Sequence, residues 1–355
     1  MSRATPAAAG AGPTRTVTLS DVARAAGVSN ATASRALSEP VHPDVRRATA
    51  EHVRAVAEEL GFRPNSAARA LRTGRSRTLV ATLPGRSFGW WDTGLRAAAA
   101  AARELGYHVF AYPLESSEPL TELLESVKEL RADGVLLVTP GSIEPYRAHL
   151  SGLDLPIVLI EDELSYDWVT TVCAHNEEGG YLAARHLLEL GHRRIAAIAP
   201  AAGGLYVEDR LAGYRRALRE YGVAVDPALI IASDERYEDP ASASSAVRAL
   251  LDQGMHFDAL FCLVDYLAAG ALMTLRAAGM RVPDDISVVG FDDERAARLV
   301  DPPLTTIRQP IAEMGELAVR LLIGSAKDGL GDPRRHELPV ELIVRASTGP
   351  AANRG

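Results

Sequence analysis

From Thr78 to Asp293 short apolar runs alternate with longer amphipathic stretches, and that alternation restricts the fold more than any other feature. TLVATLP, YHVFAYP, VLLVTP and PIVLIED read as strands, with helices expected over Gly94 to Leu105, Leu120 to Leu130 and near Glu144 to Leu150. Runs that are apolar at consecutive positions have no wet face. They need helices on both sides, which is the arrangement of a parallel, doubly wound sheet. The scheme then repeats through WVTTVCAH, RRIAAIAP, LIIAS, ALFCLVD and ISVVGFDD, with helices over Glu177 to Leu190, Arg210 to Tyr221, Ser242 to Leu251 and Tyr266 to Ala278. Two α/β lobes follow, and a ligand is expected at the carboxyl ends of the strands, in the cleft between them.

The residues before this body follow a different rule. Thr18 and Asp21 form a capping-box pattern, so a helix is expected from Leu19, with Leu19, Val22, Ala23 and Ala26 on one face. Gly27 supplies a positive φ, Val28 plugs the corner, and Ser29 caps a second helix. On that helix Ala33, Ala36 and Leu37 turn inward while Asn30, Ala31, Thr32, Ser34 and Arg35 stay out. A third helix is expected from Asp44 to Leu60, with Pro43 at its first position and Gly61 closing it. These are the parts of a helix-turn-helix unit, which lays one helix in a DNA groove.

Charge is divided in the same way. Residues 1–76 carry eleven Arg and no Lys against six acidic residues, a balance of +5, whereas the whole chain carries −8, which leaves −13 for the rest. A basic head on an acidic body suits phosphate contact by the head alone. Between them, FRPNSAARALRTGR has four Arg and a single Leu71, and the helix it can form after Pro64 is far below the roughly 12 to 15 residues that an isolated helix needs. It reads as a hinge that folds against DNA, with Leu71 as an apolar wedge in the minor groove.

Other classes are disfavoured. Met1 to Arg15 lacks an apolar run, so a disordered tail is expected rather than a signal peptide, and no stretch reaches the roughly 18 apolar residues of a spanning helix. Cys173 and Cys262 lie in apolar runs and read as structural thiols; the nine histidines show no metal spacing, and His186 and His192 read as structural at a helix end. No dinucleotide, P-loop or nucleophile-elbow motif is present, so no enzyme, cofactor or metal is expected. A soluble cytoplasmic, nucleoid-associated protein is expected.

The chain resembles the lactose/galactose repressor (LacI/GalR) family from Thr16 to about Thr348. TLSDVARAAGVSNATASRAL is similar to its helix-turn-helix and FRPNSAARALRTGRSRTL to its hinge, while GGYLAARHLLELGHRRIA, RLAGYRRAL, RVPDDISVVGFDD and PPLTTIRQP are similar to its sensor signatures. The resemblance implies a helix-turn-helix head on a periplasmic-binding-protein-like sensor, a homodimer on palindromic operators, and control by a small effector, a sugar first and a nucleobase or nucleoside as alternative. It places base reading on Asn30, Ala31 and Arg35, phosphate contacts on Ser29, Thr32 and Ser34, and the hinge wedge on Leu71 beside Arg69. In the sensor it implies ligand contacts from the Trp90–Trp91 pair, at least one of which is expected to line the cleft, and from Glu161, Arg210 and Asp265; Tyr206, four residues before Arg210, is a further cleft candidate by its position. Val264 and His175 depart from the family pattern, where an Asn and an Asp are usual.

The expected boundaries are a tail over 1–16, the head over 17–63, the hinge over 64–76, the sensor over 77–349 and a tail over 350–355. Lobe 1 takes about 77–174 and 308–333, and lobe 2 about 175–307 and 334–349. The end of the chain, ASTGPAANRG, has no leucine heptad with which to build a bundle, so a dimer rather than a tetramer is expected.

Overall fold

A computed structural model describes residues 17–38, 43–63, 70, 74–84, 88–114, 120–138, 142–161, 166–201, 204–233, 240–328 and 331–351. The chain divides into two compact units, Met1–Ser76 and Arg77–Gly355. Arg69 and Leu71 of the expected hinge lie outside the described residues.

In the head, α1 (Leu19–Ala25) opens on the expected capping box, with the Asp21 amide donating to Thr18 Oγ1 and the Thr18 amide donating to Asp21 Oδ2. Gly27 has φ 67° and turns the chain into α2 (Asn30–Ala36). The third helix, α3 (Arg47–Glu59), begins three residues later than expected. Its N-cap is Arg46, which offers no side-chain capping bond, and Asp44 stays outside the helix. Val22, Ala23, Ala33, Ala36, Ala50 and Val53 form the small core.

The second unit contains two six-stranded sheets. The first runs β11-β5-β4-β3-β1-β2 and the second β12-β10-β9-β8-β6-β7. Lobe 1 is built on β1 (Thr78–Pro84), β2 (His108–Leu114), β3 (Gly134–Leu137), β4 (Ile157–Ile160) and β5 (Thr170–Ala174). Its helices are α4 (Phe88–Glu104), α5 (Leu120–Leu130) and α6 (Arg147–Ser151). Lobe 2 holds β6 (Ile195–Ala199), β7 (Ile230–Ala232), β8 (Ala259–Cys262), β9 (Ser287–Asp292) and β10 (Thr305–Arg308). It is covered by α7 (Asn176–Glu189), α8 (Leu205–Glu220), α9 (Pro240–Asp252) and α10 (Asp265–Ala277). The chain then returns to lobe 1 as α11 (Ile311–Asp328) and β11 (Arg335–Leu338), and ends in lobe 2 with β12 (Glu341–Ile343).

Strand pairing is parallel throughout both sheets except between β10 and β12. The strands β3 and β8 are buried at every position, as strands with helices on both faces must be. Because β11 pairs in parallel with β5, the third passage between lobes falls at Pro339 and Val340. This corrects the expected boundary after residue 333. Helix α4 also starts earlier than Gly94 and takes both tryptophans into its first turn.

The last described residues are stitched into lobe 2. Ser347 Oγ donates to the Val288 carbonyl at 2.6 Å and accepts from the Thr305 amide at 2.8 Å. His186 Nε2 lies 3.0 Å from Thr348 Oγ1, and His192 Nε2 lies 3.0 Å from the Gly349 carbonyl. The two histidines are structural, as expected from their place at the end of α7.

Candidate functional site

On the head, α2 presents its predicted residues on one side while Ala33 and Ala36 are buried on the other. Ser29, Asn30, Ala31 and Arg35 are exposed, and Thr32 and Ser34 are half-buried. Ser29 Oγ accepts from the Thr32 amide at 3.1 Å and lies 2.9 Å from Thr32 Oγ1, so these two hydroxyls first serve the helix start. Asn30 Nδ2 donates to Ser20 Oγ at 3.1 Å, which joins the second helix to the first. Ala31 and Arg35 stand on the outward face without such a task in the cap.

In the sensor, the residues of interest gather at the carboxyl ends of the strands. Helices α7 and α8 touch backbone to backbone: a Cβ on Gly180 would lie 1.9 Å from the Arg210 carbonyl oxygen, and one on Gly213 would lie 1.8 Å from that of Glu177. This contact fixes the height at which Arg210 leaves α8. Its side chain is only 3% exposed; Nε donates to Asn176 Oδ1 at 2.9 Å, and Nη1 donates to the Leu263 carbonyl and lies 3.5 Å from Asp292 Oδ1. The guanidinium carbon is 5.0 Å from the Tyr206 ring centroid and 3.5 Å from that of Phe291. Tyr206 is half-buried over Arg210.

Asp265 is placed differently from its expected role. It is 1% exposed, with Oδ1 accepting from Thr306 Oγ1 at 2.6 Å and Oδ2 accepting from the Glu294 amide at 2.8 Å. Burial, and then the charge of Asp292, push its carboxyl well above the usual carboxylate range. A Cβ on Gly290 would meet Asp265 Oδ1 at 2.3 Å, which explains the glycine of VVGFDD. The acid that faces Arg210 is Asp292, whose Oδ1 also accepts from Gln309 Nε2 at 2.6 Å. Gln309 Oε1 is buried with no hydrogen-bond partner.

The tryptophan pair divides. Trp91 is fully buried against Gly94, where a Cβ would come within 2.4 Å of its ring, and its Nε1 has no hydrogen-bond partner. That packing removes Trp91 from any open wall. Trp90 is half-buried, its ring centroid 5.6 Å from that of Trp91. The adjacent Gly89 brings lobe 1 close to lobe 2, since a Cβ there would lie 3.4 Å from Glu294 Oε2. Glu161 sits just after β4 with φ 53°, its Oε1 accepting from the Ala174 amide at 2.8 Å and its Oε2 from Asn176 Nδ2 at 3.0 Å.

Asn176, Asp292 and Gln309 are the residues that sequence reasoning left out of the site. Asp292 is the first acid of the FDD run and Gln309 closes LTTIRQ, so both lay inside quoted motifs. The family resemblance puts the ligand-binding acid on Asp265, whereas the acid that faces Arg210 is Asp292. His175 directly precedes Asn176 and lies 3.5 Å from Glu337, in the wall of an open pocket of about 230 Å³ shared with Glu178, Pro339 and Val340. Among the described residues no helix is long and apolar enough to cross a membrane, and no cluster of ligating side chains is arranged for a metal.

Comparison with known proteins matches residues 18–65 to bacterial regulatory proteins of the lacI family and residues 184–348 to a periplasmic-binding-protein-like domain. The ribose operon repressor of Halalkalibacterium halodurans is 33% identical over 337 residues, 95% of this chain and 98% of that protein. The chain belongs to the LacI family of bacterial regulators. Its fold is similar to that of the lac repressor dimer bound to operator and the anti-inducer ONPF, with a TM-score of 0.80 at 27% identity, covering 94% of this chain and 100% of that one. A transcriptional regulator CelR–cellobiose complex gives a TM-score of 0.70 at 31% identity over 93% of this chain and 99% of that chain. This LacI-family chain is a DNA-binding transcriptional repressor with a sensor domain for a small-molecule effector.

Proposed function

We propose that the effector is a sugar, held at the carboxyl ends of the strands by Arg210 and Asp292 with Tyr206, Gln309 and Trp90 around it. The observation that carries this reading is a buried acceptor without a donor, the Gln309 Oε1, beside the Arg210–Asp292 pair. Arg210 already donates to Asn176 and Leu263, while the Gln309 Oε1 lacks a donor and Asp292 brings a carboxylate to the same place. A ligand rich in hydroxyl donors answers such a site, and an aromatic ring suits the apolar face of a sugar. The names of two relatives, a ribose operon repressor and a cellobiose complex, support the same class.

The head reads an operator through Arg35 and Asn30 in the major groove, and the hinge residue Leu71, with Arg69 beside it, wedges the minor groove. The protein acts by binding alone, without a catalytic step, in the cytoplasm on the nucleoid, and as a dimer rather than a tetramer.

Titration calorimetry of the full-length chain with ribose, cellobiose, adenosine and uridine tests the effector class. Heat from a sugar that disappears in Asp292→Ala is the expected result, whereas binding of a nucleoside alone overturns the sugar reading. Duplexes selected by the wild-type chain from a randomised pool then test the head, and light scattering that gave a stable tetramer would end the dimer reading. On a selected duplex Leu71→Ala is expected to weaken binding strongly while leaving sugar affinity unchanged; unchanged DNA affinity would remove the wedge.

A further inference from the structure

Asn176 is buried at the first of the three passages between the lobes, immediately after β5 and at the first residue of α7. Its amide is used at both ends. Nδ2 donates to Glu161 Oε2 at 3.0 Å, on lobe 1, and Oδ1 accepts from Arg210 Nε at 2.9 Å, on lobe 2. The orientation of the amide is not a free choice, because a carboxylate can only take its N–H and a guanidinium can only meet its oxygen.

Each of the two partners is anchored in its own lobe. Glu161 is held by its amide, which donates to the Val172 carbonyl at 3.0 Å, and by its Oε1, which accepts from the Ala174 amide at 2.8 Å. Its φ of 53° is a conformation that a non-glycine residue keeps only when its surroundings enforce it. Arg210 is held by Leu263, by Asp292 and by the two rings that flank it. The glycine contact of α7 on α8 leaves no slack between the backbone that carries Asn176 and the backbone that carries Arg210. A second bond from α8 to lobe 1, Asp209 to Arg335 at 3.5 Å, is far more exposed and correspondingly weaker.

We propose that Asn176 is the positioning residue that sets the angle between the lobes, by holding Glu161 of lobe 1 and Arg210 of lobe 2 at opposite ends of one amide. A displacement of the Arg210 guanidinium is then passed to lobe 1 through one side chain. The inference rests on the reading of the cleft as the effector site for its regulatory meaning, but the geometry it asserts is measurable without any ligand.

The test is a distance measurement between spin labels on the full-length chain. Labels attached through Glu125→Cys on lobe 1 and Arg219→Cys on lobe 2 sit at exposed positions, while the native Cys173 and Cys262 are buried and do not compete. Asn176→Asp places a carboxylate against that of Glu161 and keeps the acceptor for Arg210, so the distance distribution is expected to shift and broaden. Asn176→Asp combined with Glu161→Gln restores a donor facing an acceptor, and the wild-type distribution is expected to return. A merely structural role for Asn176 lowers Tm but gives no such rescue. An unchanged distribution in Asn176→Asp, or a double variant as disturbed as the single one, overturns the proposal. If Asn176→Asp does not fold, Glu161→Ala removes the lobe 1 anchor alone, and an unchanged distribution there overturns it equally. Failure of every sugar to bind would count against the effector reading and leave this result standing.

Discussion

Arg210 and Asp292 face each other across 3.5 Å in a site where their side chains are 3% and 6% exposed. Removing one of them leaves the other buried without its counter-charge, which costs about 3 to 5 kcal/mol. Asp292→Ala is expected to show a loss of that order in urea unfolding. The double variant with Arg210→Ala is expected to lose less than the sum of the two single losses. Additive losses would mean that Leu263 and Asn176 satisfy the guanidinium and that the pair is incidental.

Gly180→Ala tests whether helix contact places the site. The new methyl would lie 1.9 Å from a backbone oxygen, which cannot swing aside as a side-chain end can. The expected cost is at least the roughly 1 to 3 kcal/mol of an overpacked core, with a loss of sugar affinity larger than in Gly324→Ala, where nothing lies near. Thermal unfolding and calorimetry of the two variants make the comparison.

Asp293 gives lobe 2 a dependence on acid. Burial by itself would raise its carboxyl, but hydrogen bonds from Arg345, Arg308 and Arg298 outweigh that and hold it below its ordinary value. A depressed acid contributes stability that is present above its unfolded value, about 3.9, and lost as pH falls through the folded one. Wild-type Tm is therefore expected to fall more steeply below about pH 4 than that of Asp293→Asn. The variant should be the less stable of the two at neutral pH. Parallel slopes in a pH series of thermal melts would rule out this contribution.

Arg35 is exposed at the last turn of α2, so its loss bears on DNA and hardly on the fold. If it holds a guanine by two hydrogen bonds, Arg35→Ala costs about 1 to 3 kcal/mol on the selected duplex and little on a scrambled one. A phosphate contact would instead weaken both and lower the salt slope by about one unit. A salt titration of both proteins on both duplexes separates the two outcomes.

The elements whose cause is local were legible in the sequence. The capping box at Thr18, the positive φ at Gly27 and the strand-helix alternation from Thr78 onward all depend on residues within a few positions of each other. What needed coordinates were relations at long range. Asp265 and Asp292 are both acids at strand ends, and only the packing of Gly290 against Asp265 and of Gln309 against Asp292 separates their environments. Trp91 is similarly removed from the cleft by Gly94, on the next turn of the same helix. Ser87 directly precedes Phe88 and is of the residue type favoured at an N-cap, so a helix start earlier than Gly94 was within reach of the sequence.

Neither sheet of the sensor is contiguous in the chain. Lobe 1 waits for β11, and lobe 2 for β10, β12 and the residues up to Ala351 that bind β9 and the end of α7. During synthesis the head, a compact unit by itself, can fold as soon as it emerges, but β5 and β10 each stay unpaired on one side until β11 and β12 have been made. A message truncated before β11 thus yields a chain with a finished DNA-reading head and two unfinished lobes, prone to edge pairing and to removal by proteases, rather than a repressor that merely ignores its effector.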